Sequence, residues 1–295
     1  MPELPEVETI RRQLEPEITG RRIVAAEVLD ERWTRPTPPR EVERVLLGRT
    51  IDGVERRGKY LLLRLEGNRT LAMHLRMTGN LLLHDGSPDP PYLRAELRLD
   101  GGRRLLFTDA RRFGHAVVLR DEELHEYFNA RLGIEPLSDS LTATELCRRA
   151  AGRRAPLKSF LLNQLGVAGI GNIYADEALH RAELHPLSLA GSMKPEDCER
   201  LRLGIVEALE AGLRSGGASI DDYRDARGEQ GAMQDEFLVH TREGKQCPRC
   251  GGEIKRIVVA GRSTYFCPSC QRRLRRRPRR RARSGRRRER RGRGR

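Results

Sequence analysis

Aromatic residues make up only 4% of this 295-residue chain, and there is a single tryptophan. No apolar run approaches the ~20 residues that cross a bilayer, so no membrane partner is expected. The opening MPELPEVETIRR is too acidic and polar for a signal peptide. Six cysteines are few for a chain with ample length for a core, and nothing calls for disulfide staples. The chain also lacks an excess charge over most of its length. Sixteen arginines and one glutamate lie in Arg272–Arg295, which leaves 41 basic and 41 acidic side chains before them, so this tail carries the entire formal +15. A segment of that composition is expected to be disordered and to bind any polyanion without reading its sequence.

What is present divides the chain by hydrophobic period. Leu4, Val7, Ile10 and Leu14 recur at helical spacing behind early prolines and glutamates, predicting a helix over about 3–14. From about 20 to 120, short apolar runs such as KYLLLRLEGNRTLAMHL alternate with glycine, aspartate and asparagine turns, the pattern of antiparallel strands. One short helix, EVERVLLG, interrupts them and stops at Gly48. GIEPLSDS, 133–140, reads as a linker. Helical spacing then runs from 141 to about 215, followed by polar, glycine-rich SGGASIDDYRDARGEQGAMQ, read as a long mobile loop. The fold class is α+β: a β-sandwich with an N-terminal helix (1–132), the linker, a helical unit with the loop 215–234 (141–235), a small C-terminal module (236–271) and the tail (272–295).

That C-terminal module holds the clearest ligand signal. Cys247 and Cys250 form one CxxC, Cys267 and Cys270 a second, with 16 residues between the pairs. This is the spacing of a four-cysteine zinc ribbon, predicting one structural Zn2+ with no open coordination position. Cys147 and Cys198 lie in helical patterns and read as plain core thiols.

The chemistry centres on the N-terminus. Removal of Met1 would make Pro2 a terminal secondary amine, titrating near pH 8 and partly unprotonated at neutral pH. Beside Glu3 it forms a candidate nucleophile and acid/base pair, competent to attack a sugar C1′. Here the chain resembles the formamidopyrimidine-DNA glycosylases, base-excision enzymes that remove 8-oxoguanine and ring-opened purines. The likeness rests on MPELPEVETIRR, RRGKYLL at 56–62, HLRMTG at 74–79, DARRFG at 109–114, QLGVAGIGNIYADEALHRAELHP at 164–186 and the terminal ribbon ending CPSCQ, in that order.

The resemblance implies a bifunctional glycosylase and AP lyase acting on damaged double-stranded DNA; nothing in the sequence suggests other than a monomer, and a soluble cytoplasmic, nucleoid-associated protein is the default expectation. Pro2 would be the nucleophile, Glu3 the general acid/base and Glu6 its support. Lys59 and His74 would hold phosphate near the lesion. Met77, Arg111 and Phe113 would fill the space left by an extruded nucleotide. Lys158, Asn172 and Arg262 would contact the DNA backbone, with Asn172 at a helix N-terminus, in the helix–two-turn–helix element, that offers N–H groups to an anion. Two stretches depart from the family pattern. Asp221 stands where many relatives carry arginine, with Arg224 nearby, and Val239, His240 and Thr241 replace a valine-tyrosine-glycine run. An endonuclease VIII-like enzyme for oxidised pyrimidines shares this fold and nucleophile; a zinc-ribbon DNA-binding protein without catalysis is the non-enzymatic alternative.

Overall fold

The structure, a computed structural model, describes residues 1–84, 86, 88–220 and 222–274. Asp221 and the tail from Arg275 onward lie outside the described residues. The chain opens with α1 (Leu4–Ile18), which ends four residues later than the spacing predicts, since Ile18 closes the same apolar stripe. The strands β1 (Ile23–Val28), β2 (Ile51–Arg57), β3 (Tyr60–Leu65), β4 (Arg69–His74), β5 (Gly79–His84), β6 (Leu93–Leu99), β7 (Arg104–Asp109) and β8 (His115–Arg120) follow, with α2 (Pro39–Leu46) between the first two.

They form two four-stranded antiparallel sheets, ordered β1-β6-β7-β5 and β2-β3-β4-β8. Leu61, Leu63, Leu71 and Met73 of one sheet share a core with Leu97, Leu105 and Phe107 of the other. The opposite face of the second sheet is covered as well. Tyr60, Leu62 and Leu119 pack on Phe128 of α3 (Asp121–Asn129), a helix the strand pattern does not foresee. Burial on both faces explains why β3 reads YLLLRL rather than alternating apolar and polar residues.

A second core belongs to the helices α4 (Ala143–Ala150), α5 (Leu157–Leu162), α6 (Asn172–Arg181) and α7 (Pro195–Arg214). Helix α1 joins the two cores. Val7, Ile10, Leu14 and Ile18 enter the sandwich, while Leu4 enters the helical core and its N–H reaches the Gly169 carbonyl at 3.0 Å. The predicted linker is strapped down at one end, because the Glu135 carboxylate pairs with Arg56 at 2.9 Å and with Arg57 at 3.1 Å. The last described elements are the hairpin strands β9 (Lys255–Val259) and β10 (Arg262–Phe266). No helix among the described residues is long and apolar enough to cross a membrane.

Three expectations are corrected. Cys147 and Cys198 are not free thiols but a disulfide, because α4 packs on the first turn of α7 and brings their Cα atoms to 5.7 Å. The segment after α7 is docked rather than free. Tyr223 and Ala226 enter the sandwich core, the Tyr223 hydroxyl donates to the Glu6 carbonyl at 3.3 Å, and Asp225 accepts from Gln13 at 2.7 Å. The start of the arginine-rich tail is anchored too: Arg272 pairs with Asp197 at 3.0 Å and the Leu274 N–H reaches the Ser188 hydroxyl at 3.0 Å. In each case a tertiary partner distant in sequence supplies what local composition does not show.

The bridge is tested by counting thiols in denaturant with a chelator present. Four are expected before reduction and six after; six before reduction would show that the α4–α7 link is two thiols.

Candidate functional site

Glu3 stands at the N-cap of α1, where a carboxylate ordinarily serves its own helix. Here it serves another. Its oxygens accept the N–H groups of Gly171 at 2.6 Å, Ile173 at 3.0 Å and Tyr174 at 3.4 Å, at the positive end of α6. The N–H of Glu3 itself goes to the Glu6 carboxylate at 2.7 Å. Glu6 also accepts from the Tyr174 hydroxyl at 2.7 Å and the Ala218 N–H at 2.8 Å. Complete burial, reinforced by the neighbouring Glu3, pushes the Glu6 carboxyl above the ordinary glutamate range.

The approach to Glu3 is narrow. Gly171 sits against its carboxyl carbon, so a Cβ at 171 would collide with the carboxylate. Pro2 is buried beside it. Met1 extends into a pocket of about 190 Å³ whose walls include Lys59, His74, Arg76, Asn172 and Arg262. Loss of Met1, which lines this pocket, would leave the Pro2 nitrogen as a terminal amine.

Lys59 lies in the β2–β3 turn and is 5% exposed, and its ammonium makes no hydrogen bond among the described residues. Burial pushes it below the ordinary lysine value; Glu3 and Glu6 oppose that shift, while Arg262 and Arg76 add to it. His74, at the end of β4, accepts the Arg76 N–H at its Nδ1 at 3.0 Å, which places its own proton on Nε2. Burial, with Arg76, His115 and Lys59 adding to it, pushes His74 well below the usual histidine value, so its ring is neutral. Arg262 opens β10, just past the Ala260–Gly261 turn, where both residues have positive φ. Lys59, Arg76 and Arg262 together give the pocket a positive wall suited to a phosphodiester. Arg76 is absent from the sequence-based site although it stands inside HLRMTG; its positive φ of 56° is what swings it out of the strand.

Met77, Arg111 and Phe113 lie on two neighbouring loops. Phe113 is 54% exposed, with the Arg111 guanidinium 4.9 Å from its ring centre. Asp109 ties the loops together: it accepts the Thr78 hydroxyl, the Arg111 N–H at 3.1 Å and the Gly114 N–H at 2.7 Å. Arg112 points the other way, onto Asp30 at 2.5 Å, and this pairing holds the Asp30 carboxyl down at about 2. Asp109 and Thr78 also escape sequence reasoning, since their role is visible only once β5 and β7 are paired.

Two expected backbone contacts take another form. Lys158 is fully enclosed, its ammonium 2.6 Å from Asp176 and 2.7 Å from the Asn172 carbonyl, so it reaches no phosphate and supports α6 from within. The N-cap of α6 is Gly171 rather than Asn172, and the Asn172 amide donates to the Ser263 carbonyl at 3.1 Å, fastening the hairpin to the helix. The anion expected at this helix N-terminus is supplied by the protein itself, as Glu3.

The four cysteines of the C-terminal module converge, with Sγ atoms within 4.8 Å of one another. Cys247 and Cys270 are 3.8 Å apart, Cys250 and Cys267 3.5 Å. Zinc–sulfur bonds of ~2.3 Å in a tetrahedron require edges of about 3.8 Å, so the set fits one structural zinc ion.

Three family models match successive parts of the chain. Residues 1–116 match the family model described as "Formamidopyrimidine-DNA glycosylase N-terminal domain", 132–224 the "Formamidopyrimidine-DNA glycosylase H2TH domain" and 244–273 the "Zinc finger found in FPG and IleRS". The formamidopyrimidine-DNA glycosylase of Chloroflexus aurantiacus is 46% identical over 274 residues, covering 92% of this chain and 98% of that protein. The enzyme of the same name from a Roseiflexus species is 46% identical over 277 residues, covering 92% and 100%. Among solved structures, wild-type Lactococcus lactis Fpg with DNA containing N7-benzyl-Fapy-dG superposes with a TM-score of 0.86 at 36% identity, covering 92% of this chain and 99% of that one. The same protein with abasic-site DNA gives 0.85 at 35%, with the same coverage. So does its complex with DNA containing an oxidised pyrimidine.

The contact between Glu3 and Gly171 predicts that Gly171→Ala displaces the carboxylate. The overpacking should cost about 1–3 kcal/mol in stability and lower turnover far more than DNA affinity. Unchanged turnover in a folded Gly171→Ala protein would contradict the placement.

Proposed function

Because the chain belongs to the formamidopyrimidine-DNA glycosylase family, whose members are DNA glycosylases of base excision repair with AP lyase activity, we propose that it excises oxidised purines from damaged double-stranded DNA through Pro2 and Glu3. The observation that carries the reading is Glu3: a buried carboxylate next to Pro2, fixed by three backbone N–H groups, one of them from Gly171, which lines the cation-walled pocket.

After removal of Met1, the Pro2 lone pair attacks C1′ of the damaged nucleotide. The glycosidic bond breaks and the base leaves with a proton. Opening of the deoxyribose ring, with Glu3 moving the proton at O4′, gives an iminium between C1′ and Pro2. Loss of a C2′ proton then expels the 3′ phosphate by β-elimination, and δ-elimination expels the 5′ phosphate. Lys59, His74, Arg76 and Arg262 hold the flanking phosphates. Met77 and Phe113 enter the stack in place of the extruded nucleotide, while Arg111 donates to the orphaned cytosine. Lys158 and Asn172 act on the backbone contacts indirectly, by fixing α6 and the hairpin. The protein works as a monomer, in the cytoplasm and on the nucleoid.

A second reading has a specific observation behind it. The Lactococcus lactis relative has been crystallised with DNA containing an oxidised pyrimidine, and this chain departs from the family at Asp221 and Thr241. Single-turnover base release from duplexes carrying 8-oxoguanine opposite cytosine, or thymine glycol, separates the two. Faster release of 8-oxoguanine is expected, abolished by Pro2→Gly and reduced about 10²–10⁴-fold by Glu3→Gln. Faster release from thymine glycol would establish the pyrimidine reading, and full activity of Glu3→Gln would remove that residue from the chemistry.

A further inference from the structure

His240 occupies the central position of the Val239–Thr241 departure, and its side chain points inward. It is 5% exposed, with Nδ1 2.8 Å from one oxygen of Asp176. The other Asp176 oxygen is 2.6 Å from Lys158, and Lys158 in turn is 2.7 Å from the Asn172 carbonyl. An ionised carboxylate only accepts, so His240 carries its proton on Nδ1 and donates. The resulting chain starts in the segment leading to the zinc ribbon. It ends on the first turn of α6, the turn whose N–H groups hold Glu3.

The backbone around His240 does not depend on this bond. Glu177, the next residue of α6, accepts the N–H groups of Leu238, Val239 and His240 at 3.0–3.1 Å. The rings of Phe237 and Tyr265 meet the imidazole edge-on, at 5.4 and 5.1 Å, and set its plane. Tethering and ring orientation are therefore provided separately, which leaves the Nδ1 proton with one distinct task. Without it, one oxygen of a fully buried carboxylate would lack a donor, and Asp176 would be free to turn away from the geometry that holds Lys158.

We propose that His240 is a positioning residue for base excision: through Asp176 and Lys158 it fixes the first turn of α6, and thereby the carboxylate of Glu3. The inference rests on the reading of Glu3 as the acid/base group. It also gives the departure at position 240 a role, since a histidine donates at Nδ1, close to the ring's attachment, where it meets an aspartate on the neighbouring helix.

The test uses the full chain and the variants His240→Phe, His240→Asn, Asp176→Asn and His240→Phe with Asp176→Asn. Phenylalanine keeps the ring and removes the donor; asparagine removes the ring and keeps a donor near the Nδ1 position. Three quantities are read: single-turnover base release, Kd for a duplex carrying a tetrahydrofuran abasic analogue, and bound zinc per chain. His240→Phe should release base about 10- to 100-fold more slowly, with Kd and zinc content within twofold of the parent. His240→Asn should recover most of the rate, and the double variant should be no slower than Asp176→Asn alone.

Parental rates in His240→Phe, equal slowing in His240→Asn, additive losses in the double variant, or a loss of zinc or DNA affinity matching the loss of rate would each overturn the proposal. Glu3→Gln measured alongside separates the two levels. If it remains fully active, the functional reading fails and takes this inference with it; if it is inactive while His240→Phe is unaffected, only this inference fails.

Discussion

The carboxylate of Glu3 lies against the N-terminus of a helix that begins about 170 residues later, and the arrangement of the molecule follows from that contact. A buried carboxylate needs donors, and the first turn of α6 has N–H groups that its own helix cannot use. Three of them meet Glu3. To bring these partners together, α1 must belong to both cores at once. Leu4 enters the helical side while Val7, Ile10, Leu14 and Ile18 enter the sandwich. The start of the chain is thereby held at the junction of the two halves, where a nucleic acid bound across both would present its backbone.

The same junction collects the positive charge. Lys59 comes from the β2–β3 turn, Arg76 from the end of β4 and Arg262 from the zinc-ribbon hairpin, and all three line the pocket that Met1 enters. Burial lowers the proton affinity of Lys59, and repulsion from Arg262 and Arg76 adds to that shift. An incoming phosphate relieves that repulsion, so binding energy and site geometry are coupled. A zinc ion held by the four cysteines would fix the ribbon; the ribbon carries Arg262, and Asn172 joins the hairpin to α6.

Much of this was legible in the sequence. Strand runs, the CxxC pairs and the acidic N-terminal helix each carry a local signal, and the order of the family motifs reaches Pro2, Glu3, Lys59 and the loop residues Met77, Arg111 and Phe113. What escaped depends on pairing at a distance. The Cys147–Cys198 bridge requires knowing that α4 packs on α7. The docking of Tyr223 and Asp225 requires the edge of the sandwich and α1 to be in place. Lys158 reads as a surface cation because lysine is seldom fully buried, and only its two partners on α6 explain why it is. Nothing in HLRMTG marks Arg76, since a positive φ cannot be read from the sequence.

The proposed chemistry runs through the amine of Pro2 rather than the buried Lys59, whose depressed proton affinity also suits it to attack on a sugar. Borohydride trapping on an 8-oxoguanine duplex, followed by proteolysis and sequencing of the modified peptide, distinguishes them. The reduced sugar is expected on an N-terminal peptide beginning at Pro2. A modified peptide containing Lys59, or trapping by a protein that retains Met1, would contradict it.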